Sequence, residues 1–101
     1  ETRAEEGLRL EAMQAEIELD TATAQLRVAH TTVTQAEQNL ELVERRFEQQ
    51  AATSTDVLDA QALLQATRVR EASAEYGVLR AQVRWRRTRG LDPVVIAGGS
   101  R

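Results

Sequence analysis

Gln49-Gln50-Ala51-Ala52-Thr53-Ser54-Thr55-Asp56 separates two long stretches patterned for helix, and its reading decides the fold. Thr53 followed three residues later by Asp56 has the form of a capping box, with Asp in place of the usual Glu or Gln. The hydroxyl accepts a free backbone N–H while the carboxylate reaches back. Asp56 and Asp59 also fall in the first turns, where the positive end of the helix dipole favours anions. The spacing therefore predicts a helix from about Ser54 to Arg89, with Gly90 as its C-cap and Pro93 shortly beyond. Upstream, a first helix is expected from about Thr2 to about Gln50. At ~1.5 Å per residue the two are about 70 Å and about 54 Å long. A tip of only 51–53 between them predicts an all-α, long antiparallel coiled-coil hairpin over residues 1–90. The tail 91–101 is expected to be irregular or, through Val94-Val95-Ile96, the remnant of a strand.

Outward from the tip, the first helix carries Leu8, Ala12, Ala15, Leu19, Ala22, Leu26, Ala29, Val33, Ala36, Leu40, Val43 and Phe47 at alternating steps of four and three. That spacing is the ~3.5-residue period of a left-handed coiled coil. Large residues hold one sub-lattice and alanine most of the other, which suits close antiparallel packing. On the second helix the expected packing stripe is Leu58, Ala62, Gln65, Val69, Ala72, Tyr76, Leu79 and Val83. A second stripe runs through Val57, Ala60, Leu64, Ala74, Val78, Ala81 and Trp85. The first helix also has a weaker one, through Leu10, Met13, Ile17, Ala24, Val28 and Leu42. Two stripes roughly 100° apart mean two apolar seams, so the hairpin is expected to have further neighbours. Folding about Ala51 and Ala52 makes facing numbers total about 103, placing Val43 near Ala60, Val33 near Val69, Leu26 near Tyr76 and Leu19 near Trp85.

Composition removes other classes. Residues 8–89 hold one glycine, Gly77, and no proline, too little punctuation for a β fold. Cysteine is absent, so disulfides and thiolate metal sites are excluded. Thirteen Arg against sixteen Asp and Glu leave a net charge of −3, the wrong sign for a global nucleic-acid binder. No apolar run reaches the ~18 residues of a membrane-spanning helix. Opening at Glu1, the chain is expected to be a segment of a longer protein.

No catalytic constellation is visible, and no enzyme, cofactor or metal is expected. His30 has Leu26, Arg27, Val33 and Thr34 one turn away, none a usual zinc ligand, and reads as a surface histidine. Ser54 and Ser73 have no histidine within reach. Arg80, Arg84, Arg86, Arg87 and Arg89 surround Trp85. This patch could contact phosphates, with the indole stacking on a base. The favoured reading is cations complementing a helix C-terminus and pairing with Glu16, Glu18 and Asp20 opposite.

Phe47-Glu48-Gln49-Gln50-Ala51-Ala52-Thr53-Ser54-Thr55-Asp56-Val57-Leu58-Asp59-Ala60-Gln61 resembles the periplasmic tip of TolC-type outer-membrane efflux channels. That family shows an aromatic residue, a glycine three positions on, a small or polar turn, and Asp-Val-Leu-Asp-Ala opening a long helix. The resemblance extends upstream through Ala36-Glu37-Gln38-Asn39-Leu40 and downstream to Arg89-Gly90-Leu91. Residues 1–29 match only as heptad coil. It implies a trimeric parent with a helical barrel in the periplasm and a β-barrel in the outer membrane, supplied by segments outside this chain. It also implies partnership with a periplasmic adaptor and an inner-membrane transporter, and no nucleic acid. By position, Asp56, Asp59 and Phe47 match the entrance constriction, where repeated carboxylates would prefer cations. Gln50, Ala51, Ala52 and Thr53 match the tip that docks the adaptor. Phe47 lacks the hydroxyl of the family's frequent tyrosine, Gln50 replaces the tip glycine, and Ala52 stands where some members place arginine.

The expected function is thus the tip hairpin of a channel for efflux or type I secretion, in the periplasm of a Gram-negative cell. The competing readings are the coiled-coil hairpin of a periplasmic adaptor (membrane fusion) protein and a nucleic-acid-binding coiled coil using Arg80–Arg89.

Overall fold

A computed structural model describes residues 2–90. Two helices account for nearly all of them, α1 over Thr2–Glu48 and α2 over Ser54–Gly90. Their bounds fall within two residues of those read from the cap and the break. The expectation for the tail 91–101 lies outside the described residues. Two compact units are present: Gln25–Glu75, and the described parts of Glu1–Ala24 with Tyr76–Arg101.

Gln25–Glu75 is a helical hairpin closed by the turn. Its core is Val33 and Ala36 of α1 against Leu64 of α2, with Leu40 packed alongside and Ala60 buried one turn nearer the tip. Alanine at 36 and 60 lets the backbones approach, so the larger Leu64 and Leu40 interdigitate between them. Across this unit His30 bonds Glu71 and Glu37 bonds Arg68, Ala36 packs with Leu64, and Val43 and Ala60 line one groove near the tip. The expected fold about Ala51 and Ala52, with Val43 near Ala60, agrees with these pairs. Arg68 Nη2 donates to Glu37 Oε2 at 3.4 Å along the flank of the seam.

The two helix ends make the other unit. Ala15 is fully buried, while Ala12, Leu19, Val78, Ala81 and Trp85 are half-buried and Thr88 is buried. Arg84 Nη1 donates to both carboxylate oxygens of Glu18. Leu19 and Trp85 adjoin that pair in sequence and are both half-buried, in keeping with their expected proximity.

The stripe on α1 packs as expected from Leu8 to Val43, but Phe47 at its end is exposed. On α2 the assignment is inverted. Leu58, Val69 and Tyr76 are 64%, 60% and 63% exposed, and Leu79 and Val83 are also exposed. The buried or half-buried row is instead Val57, Ala60, Leu64, Thr67, Glu71 and Ala74 in one unit, and Val78, Ala81, Trp85 and Thr88 in the other. It too alternates three and four, with polar residues at 67, 71 and 88. Those members carry their own partners: Thr67 Oγ1 donates to the Leu64 carbonyl at 2.8 Å, Thr88 Oγ1 to the Trp85 carbonyl at 2.8 Å, and Glu71 pairs with His30. Among the described residues no buried side-chain N or O atom lacks a hydrogen-bond partner. Val69 thus does not face Val33, and Tyr76 is not turned inward. On α2 the two rows lie roughly 150° apart at ~103° per residue, closer to opposite faces than the 100° expected.

Candidate functional site

The tip is built by two back-to-back caps. α1 stops because Gln50 adopts φ 61°, the left-handed region. Gln50 N–H then donates to the Phe47 carbonyl at 3.0 Å and Ala51 N–H to the Arg46 carbonyl at 2.7 Å. These two bonds are the Schellman pattern, and they satisfy carbonyls that the helix end would otherwise leave open. Two residues later Thr53 opens α2. Asp56 N–H donates to Thr53 Oγ1 at 3.1 Å and Thr53 N–H to Asp56 Oδ2 at 2.9 Å. The reciprocal capping box is complete, and Asp can serve in it because its shorter side chain still spans the turn. Together the caps fix the azimuth at which α2 returns, and hence which of its two rows meets α1.

A groove of about 390 Å³ lies at this tip, lined by Val43, Arg46, Ala51, Ala52, Asp56 and Asp59 among others. Two carboxylates and one guanidinium therefore share a small, solvent-open concavity. Of the expected constriction residues, Asp56 and Asp59 line it and Phe47 does not. Ala51 and Ala52 line it, whereas Gln50 and Thr53 act in the caps that shape it. Asp56 has a definite structural duty, since one carboxylate oxygen is engaged by the Thr53 amide. The expected tip residues are all exposed except half-buried Ala52.

Of the pairings expected at the basic end of α2, the one with Glu18 is present. Arg84 is tied to Glu18, the Arg89 guanidinium lies 4.9 Å from the Trp85 ring centroid and that of Arg80 5.3 Å from Tyr76. Trp85 is half-buried rather than displayed. The hydrogen bond between His30 Nδ1 and Glu71 Oε2 escaped sequence reasoning. Spacing along one helix reveals only neighbours a turn away, whereas the partner of His30 lies across the hairpin. The register of the packed rows is the signal that would have found it. Among the described residues no three His, Asp or Glu side chains gather into a metal-binding group. No helix is long and apolar enough to cross a membrane.

Set against known proteins, the chain has no significant match to any protein-family model, any curated protein or any solved structure.

Proposed function

We propose that this chain is the periplasmic tip hairpin of a TolC-type outer-membrane channel, acting in gating and adaptor docking rather than in catalysis. The observation that carries the reading is Gln50. Aligning the tip motif puts the family's glycine at this position, and here its φ is 61°, the conformation that glycine favours. A motif match made on residue types alone thus falls on the one left-handed residue among those described. The resemblance also assigns the Asp56–Gln61 stretch to the start of a long helix, and α2 begins at Ser54. Both helices keep a second apolar row away from the hairpin seam, which a helix standing in a closed ring of neighbours needs. The tip groove holds Asp56 and Asp59, which on this reading face the lumen or the adaptor.

The test uses the parent protein in Gram-negative cells, with a photo-crosslinking residue at Ala52 and, as a control, at Gln38. Crosslinks from 52 to a periplasmic adaptor, absent from 38, are the expected result. A parent that fractionates with the cytoplasm, or one that links to no adaptor through 52, refutes the proposal.

A further inference from the structure

We infer that the exposed face of α2 between Tyr76 and Arg87 is the seat of an acidic amphipathic helix, supplied by another part of the parent protein and running antiparallel to α2. Tyr76, Leu79 and Val83 are 63%, 56% and 53% exposed and follow one another at steps of three and four, the spacing of a coiled-coil seam. With Arg80, Arg84 and Arg87 they line a shallow groove of about 430 Å³. The three arginines also step by four and three, so they run along a single flank of the apolar row. An exposed apolar row with one charged flank is how a helix surface selects a second helix.

Charge decides what kind of helix fits. Residues 80–89 hold five arginines and no acid. Arg84 meets the Glu18 carboxylate, but among the described residues neither Arg80 nor Arg87 has a carboxylate within ion-pairing distance. Arg80 instead lies over the Tyr76 ring, 5.3 Å from its centroid. Arg80 and Arg87 stand one heptad apart and so present the same flank. A helix whose own apolar row is flanked by two carboxylates, likewise one heptad apart, covers the row and neutralises both. Direction follows from the helix dipoles. Arginines gather at the C-terminal end of α2 and carboxylates are favoured toward an N-terminus, so the charged ends meet when the helices run antiparallel. A phosphate chain is a poorer occupant, because the groove is aliphatic at Leu79 and Val83 and Trp85 is half-buried on the other row. So is a second copy of this chain. Its α2 would bring arginine to arginine, and its exposed α1 row Leu10, Met13 and Ile17 is flanked by Arg9, Gln14, Glu16 and Thr21, with a single carboxylate.

The inference rests on the channel reading only for the ring that stands a further helix beside α2. The parent protein is tested in Gram-negative cells with a photo-crosslinking residue at Leu79, and mass spectrometry identifies the linked peptide. The expected link is to a helix of the parent outside this chain, whose apolar row has two Asp or Glu one heptad apart on one flank. Arg80→Glu with Arg87→Glu should lower the yield about fivefold. Replacing the two facing carboxylates by arginine should restore it, which also shows that the reversed variant folds. A link to nucleic acid, to lipid, to this same segment of a second copy or to a helix without those carboxylates overturns the inference. So does the absence of any link, or a charge reversal that leaves the yield unchanged. Position 79 reports on this seat and position 52 on the adaptor. Links at 52 without links at 79 overturn the inference alone, whereas the expected link at 79 without links at 52 refutes adaptor docking and supports the seat.

Discussion

Gln50→Gly is expected to stabilise the hairpin. Gln50 holds φ at 61°, where its Cβ crowds the backbone, and for a non-glycine residue the left-handed conformation costs about 1–2 kcal/mol. Glycine removes that cost but loses more freedom on folding, an opposing effect of about 0.4–1 kcal/mol. The net gain is about 0.5–1 kcal/mol, since both Schellman bonds use backbone atoms that the substitution leaves in place. For a domain of this size that difference raises Tm by about 3–6 °C. The assay is thermal unfolding by circular dichroism at 222 nm, with all variants at one chain concentration so that association does not add to the shift. Gln50→Ala serves as the control, because alanine carries the same Cβ and should leave Tm within about 2 °C of the parent. An unchanged or lowered Tm for Gln50→Gly, or an equal rise for Gln50→Ala, would refute the assignment of strain to this residue.

Other perturbations probe the rest of the hairpin. Thr53→Ala removes the hydroxyl that accepts the Asp56 amide and should cost about 1 kcal/mol in urea unfolding. Leu64→Ala should cost about 2 kcal/mol, whereas Val69→Ala, on the outer row, should change the stability of the dilute monomer by less than about 0.5 kcal/mol. The reverse order would mean that the sequence-level stripe is the true seam. Thr67→Val places a methyl in the buried row without stranding a partner, because the Leu64 carbonyl keeps its helical bond. Its midpoint in urea should be equal to or higher than the parent's.

Local features were legible from residue types because their causes are local. Thr53 and Asp56 announce a capping box within four residues, and the helix bounds follow from it. The α1 stripe was legible because alanine and leucine alternate without a polar intruder. The α2 seam was not, because Thr67, Glu71 and Thr88 sit in it while the more continuous apolar row faces outward. What decides between the rows is the turn, and its key residue gave no warning: a left-handed helix end is usually glycine, and here it is Gln50. At the tip, Asp56 and Asp59 were found as neighbours by spacing alone. Arg46, which shares their groove from α1, needed the register to be seen.

Every hydrogen bond that makes the bend joins residues between Arg45 and Val57, so closure requires nothing distant in the chain. Loops this short close in about 10–100 ns, and the nearest layers can form directly afterwards. Folding is then a zipper started at its closed end, with each new rung bringing the next two side chains within reach. Shortening the open end should take away rungs one at a time, while a lesion at the bend removes the place where zipping begins.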